Sequence, residues 1–232
     1  DGDRVVVDLL PPPPETQSAS GASAPAPARP PVNGTAHVQL VEGANDTQVA
    51  VTWPAPARAA AFRRGEAIWV LFDAAGSIDL TGVARAGRRH RDMEVVRGDG
   101  VIGLRIPAPP DMLVSAVASD NSWTFTLSAR AGQGDVAALE RQVAADGRGS
   151  LIAHFQRDGV VRWINDPEIG DRIAVALFGG PAKGINTRRA TVEAEVSPTA
   201  HGAVVEAHAD GVTVTLANGD LTVTRGAGLI AQ

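Results

Sequence analysis

From residue 36 onward, apolar and polar residues alternate with a period of two. In Ser122–Ser128, SWTFTLS, the side chains of Trp123, Phe125 and Leu127 fall on one face and the hydroxyl residues on the other. That pattern predicts a half-buried strand. In TQVAVTW, Thr47–Trp53, the residues Val49, Val51 and Trp53 share a face. Ala67–Phe72, AIWVLF, is apolar at every position and predicts a central strand covered on both sides.

Turn chemistry groups these strands. Residues 203–225 contain Asp210-Gly211 and Asn218-Gly219, the dipeptides best suited to two-residue hairpin turns, which need positive φ at both positions. Counting outward pairs Ala207 with Val214, Val205 with Leu216, Leu216 with Leu221 and Val214 with Val223. A three-strand meander is expected, with His208, Thr213, Thr215, Thr222 and Thr224 on its polar face. Asp158-Gly159 predicts a second hairpin within Leu151–Ile164, setting Trp163 across from His154. One helix is expected near 135–145, capped by Asp135 and carrying Val136, Leu139 and Val143 on one stripe. The expected fold class is therefore all-β: antiparallel β-sandwiches rich in hairpins and meanders, with one short helix. The candidate related subdomains are 36–130 and 148–232.

The start of the chain reads differently. Residues 11–33 are rich in Pro, Ala and Ser and are expected to form a disordered linker. They separate a strand at 1–10 from everything after it, so that strand belongs to a preceding β-domain or crosses into the main one. Its sequence GDRVVVDLL, Gly2–Leu10, returns as GDRIAVALF, Gly170–Phe178, with Gly, Asp, Arg, Val and Leu in common. Two readings fit this repeat, convergent strand grammar or duplication of a domain.

Composition narrows the partners. A net charge of −5 argues against nucleic acid, which calls for a basic stripe. The absence of Cys excludes disulfides, thiolate metal sites and Cys nucleophiles, and fits a bacterial periplasmic protein. No apolar run approaches the length of a membrane span. The opening on Asp1 suggests a processed protein or a fragment of a longer one.

Gly2–Leu10 resembles the last strand of the AMIN domain, a periplasmic β-sandwich module, and Thr47–Asp73 resembles its opening strands. The same stretch is similar to the β-rich region of large alphaproteobacterial envelope proteins that carry tetratricopeptide repeats elsewhere; such repeats are absent from this sequence. The resemblance implies contact with peptidoglycan or with an envelope machine, and it carries over no binding residue.

The residues themselves offer little catalysis. His37, His90, His154, His201 and His208 show no metal-ligand spacing. His201 and His208 are expected as solvated groups near Glu206 on an outer sheet face. No Ser has a nucleophile-elbow context, and Asp166 with Glu168 reads as turn chemistry. No catalytic residue, metal or cofactor is therefore expected. The binding candidates are a basic run, Arg85, Arg88, Arg89, His90 and Arg91, suited to an anionic partner, and Trp163 with His154, where an exposed ring could stack on sugar. Trp53, Trp69 and Trp123 are expected in the core. The leading expectation is a non-catalytic periplasmic binding or assembly module contacting peptidoglycan or envelope proteins, not an enzyme. A cell-wall-acting enzyme and a structural spacer are the alternatives. Nucleic acid is not an expected partner, and the oligomeric state stays open.

Overall fold

Ala67–Phe72 is buried at every position in the structure, a computed structural model that describes residues 30–86, 92–130, 132 and 134–230. The strands of its first half are β1 (Thr35–Glu42), β2 (Asp46–Thr52), β3 (Ala59–Arg64), β4 (Ala67–Phe72), β5 (Ser77–Asp79), β6 (Glu94–Gly98), β7 (Val101–Pro107), β8 (Leu113–Ser119) and β9 (Ser122–Ser128), with helix α1 at Thr81–Ala86. The second half supplies β10 (Asp135–Val136), β11 (Ala138–Val143), β12 (Gly149–His154), β13 (Gly159–Asn165), β14 (Arg172–Phe178), β15 (Lys183–Gly184), β16 (Arg189–Ala190), β17 (Ala194–Ser197), β18 (Thr199–His201), β19 (Ala203–Ala207), β20 (Val212–Ala217) and β21 (Asp220–Arg225).

These strands stack as four layers. The outer layers are the sheet β5-β1-β2-β9-β8 and the sheet β11-β12-β21-β20. Between them a ten-stranded sheet folds over on itself, because β14 touches β3 only at Phe178 and Ala59. Strand alternation then feeds three cores. Ala59, Ala61, Ile68, Val70 and Phe72 face the first outer sheet, with Trp53, Trp123 and Phe125. Ala60, Phe62, Trp69 and Leu71 point the other way, onto Ile173, Val175 and Leu177 of β14. Ala174, Ala176 and Phe178 of β14 face the second outer sheet, with Leu151, Leu221 and Val223. A strand buried between two layers must be apolar on both faces, which is why β4 and β14 show no alternation.

The two halves share one topology. In the first, hairpins β1–β2 and β8–β9 build a sheet in the order β1-β2-β9-β8, and hairpins β3–β4 and β6–β7 build its partner, β3-β4-β7-β6. In the second, the orders are β11-β12-β21-β20 and β13-β14-β19-β17. The registers coincide as well. Val49 faces Phe125 and Val51 faces Trp123; Leu151 faces Val223 and Ala153 faces Leu221. The ring pair Trp53–Phe72, at 5.5 Å, has its counterpart in Phe155–Phe178, at 4.2 Å. Asp120 (φ 48°) and Asn218 (φ 53°) hold the same turn position in the matching hairpins. The units meet through the same face of each, as in a two-fold dimer.

Several expectations need correction. Residues 135–143 are the strands β10 and β11, not a helix, because Leu139 and Arg141 find backbone partners in Ala153 and Leu151. The short helix lies instead at Thr81–Ala86, where Asp79 Oδ1 accepts the Thr81 amide. The β20–β21 hairpin has the expected register, Leu216 with Leu221 and Val214 with Val223. The meander is broken one strand earlier: β19 pairs with β14 and β17, not with β20. In the Asp210-Gly211 turn only Gly211 takes positive φ, so no type I′ hairpin forms there. Likewise β12 and β13 lie in different sheets, and the positive φ in that connection falls on Gln156 rather than at Asp158-Gly159. Residues 1–10 and 11–29 lie outside the described residues, whereas Val32 bridges Ala74 and belongs to the fold.

Candidate functional site

The joint between the units is closed by ion pairs at both ends. At one end Asp73, 2% exposed, accepts Arg58 Nη1 at 3.0 Å and Arg162 Nη2 at 2.8 Å. Arg58 Nη2 reaches Asp158 at 2.6 Å. At the other end Arg64 donates to Asp166 at 2.7 Å and Asp171 at 2.5 Å, and pairs with Glu206 at 2.6 Å. Burial works to raise the Asp166 pKa, but the Arg64 guanidinium and the amides of Glu168 and Ile169 outweigh it, so the carboxyl stays below its usual range. Arg105 pairs with Glu168 across the same joint. These carboxylates are structural partners of arginines, and Asp166 serves its turn through two backbone amides as well.

His201 is fully buried, not solvated. Its ring lies 4.5 Å from Trp123; Nδ1 accepts the Lys183 amide and Nε2 donates to the Phe178 carbonyl. Burial favours the neutral ring and lowers its pKa to about 4. A group whose folded pKa is depressed below 6.5 takes up a proton more readily when unfolded. Stability is therefore full above pH 6.5 and falls as the pH drops toward 4. Between pH 6.5 and 4.5 the loss should be about 2 kcal/mol. Urea unfolding at those two pH values checks it, and His201→Gln should flatten that part of the profile.

Two concave sites sit at equivalent places on the two units, between the third strand and the seventh strand's edge. The first is a cavity of about 560 Å³ lined by Leu113, Val114 and Ala116 of β8, Val136, Ile185 and Pro198. Arg63 closes one end, held by the carbonyls of Ala108, Pro109 and Met112. The second, about 640 Å³, is lined by Trp163, Arg172, His208, Asp210, Val212 and Val214. Trp163 occupies the place that Arg63 holds in the first unit, since Ile68 opposite Arg63 and Ala174 opposite Trp163 are matching core positions. The β8 and β20 edges that wall these sites pair on one side only among the described residues.

The predicted binding residues are scattered. Trp163 is half-buried, with the Arg172 guanidinium 4.7 Å from its ring centre. His154 lies on the outer sheet opposite Asp220, 3.1 Å from its carboxylate, and does not face Trp163. Arg85 is on α1, and Arg88, Arg89, His90 and Arg91 lie outside the described residues. Sequence reading missed the first cavity, because its lining comes from five distant segments with no shared motif. Among the described residues no cluster of His, Asp or Glu could hold a metal ion, and no helix is long and apolar enough to cross a membrane. No protein-family model matches the sequence, and no curated protein and no solved structure is significantly similar to it.

Proposed function

We propose that the chain is a non-catalytic binding and assembly module of a bacterial cell envelope, contacting peptidoglycan or an envelope protein. The observation that carries this reading is the first cavity. It combines an apolar lining, a small set of polar groups and an open strand edge, the ingredients with which a surface captures an extended polypeptide. The exposed residues Leu113 and Val117 on β8 extend that apolar character beyond the cavity. The resemblance of Thr47–Asp73 to AMIN-type modules points to the periplasm. The basic run Arg85–Arg91 would serve the anionic part of a partner, and the Trp163 cleft a sugar ring.

Pelleting with purified peptidoglycan sacculi tests the reading residue by residue. Val114→Asp places a charge in the cavity wall and should weaken pelleting at least about tenfold if the wall peptide docks there. Replacing Arg88, Arg89 and Arg91 by Ala should remove the salt-sensitive part of the binding. Folded variants that pellet like the parent would contradict these assignments.

A further inference from the structure

The shared topology exposes a difference between the two units. In the first, the outer edge of β3 is filled: Phe178 pairs with Ala59, His201 with Ala61 and Thr199 with Phe62. The filling strand, β18, is an insertion between β17 and β19 that reaches across from the second unit. The matching edge belongs to β13. Among the described residues β13 pairs with β14 alone, and no other backbone hydrogen bond involves Val160–Ile164. A seven-residue strand with one bare edge, two of whose residues (Val160 and Ile164) pack in the joint between the units, is a ready template for another strand.

We propose that this edge is the seat of the chain's own segment Val5–Leu10, which lies outside the described residues. Three observations select it. The segment resembles β14, the strand already bonded to β13: Val7 and Leu9 are identical to Val175 and Leu177, and Val5 stands where β14 has Ile173, all on the side of β14 that faces the joint. The described chain starts close by. The Val32 amide donates to the Asp73 carbonyl, and the Asp73 carboxylate holds Arg162 of β13. An antiparallel segment would end with Leu10 near Gly159, and the nineteen residues 11–29 can span up to about 60 Å, ample for the return to Pro30. Lastly, Asp8 stands where β14 has Ala176, and a charge there suits an edge strand better than a buried one.

Hydrogen exchange tests this directly. In the full chain, the β13 amides that face away from β14 should exchange about a hundredfold more slowly than in a chain lacking residues 1–10. Val7→Pro in the full chain should abolish the difference, because Pro breaks the ladder without touching the folded body. Equal exchange in all three chains overturns the proposal. Protection that appears only together with a dimer mass in light scattering also overturns it, and assigns the seat to a second copy.

Discussion

Arg64→Ala should destabilise the protein by about 3–5 kcal/mol. Arg64 is 7% exposed and answers three carboxylates, of which Asp166 is itself 2% exposed. Removing the guanidinium leaves Asp166 and Asp171 facing one another in the joint with no cation between them, and one oxygen of Asp171 is already buried without a partner. A buried carboxylate without a counter-charge binds a proton more readily. The penalty should therefore shrink as the pH falls, because the stabilisation that Arg64 gives the Asp166 carboxylate is lost on protonation. Guanidinium unfolding at pH 7 and pH 4.5 reads both the size and the sign. A cost below about 1 kcal/mol at pH 7 would mean that the network is solvated.

Trp69→Ala should cost about 3–5 kcal/mol, by loss of burial and by the cavity left behind. Trp69 is 1% exposed and stacks on Phe62 with ring centres 6.4 Å apart. Both rings lie in the joint between units rather than inside either sandwich. The loss should therefore loosen both halves together, and tryptophan fluorescence should report a single transition at a lower midpoint with an unchanged slope. Two separated transitions, with the second half unaffected, would contradict the joint.

The local pattern of β4, β9 and the β20–β21 hairpin was readable because each is decided by neighbours in sequence. Period-two burial and the Asn218-Gly219 turn suffice for these. Layer assignment was not readable. Ala207 and Val214 look like cross-strand partners, yet β19 is drawn into the middle sheet by the longer apolar edge of β14, and β20 into the outer one by β21. The stripe Val136, Leu139, Val143 fits a helix by spacing, but Ala138–Val143 gains a full ladder along β12. His201 looked like a surface residue because its partners, Trp123, Lys183 and Phe178, come from three separate segments. The repeated topology was not legible from GDRIAVALF: the first copy of that phrase lies outside the described residues, and the strand that matches β14 in the first half is GEAIWVLF, with few identities. For the site, Trp163 lines the second concavity, while His154, expected across a hairpin from it, sits on another sheet.

The binding reading is tested most directly by sedimenting the full chain with purified peptidoglycan sacculi at low and moderate salt, and assaying the supernatant for released wall fragments. The protein should pellet, and no fragment should be released. Protein left in the supernatant at both salt concentrations would contradict wall binding and leave envelope proteins as the partners to seek, and released fragments would contradict the non-catalytic assignment.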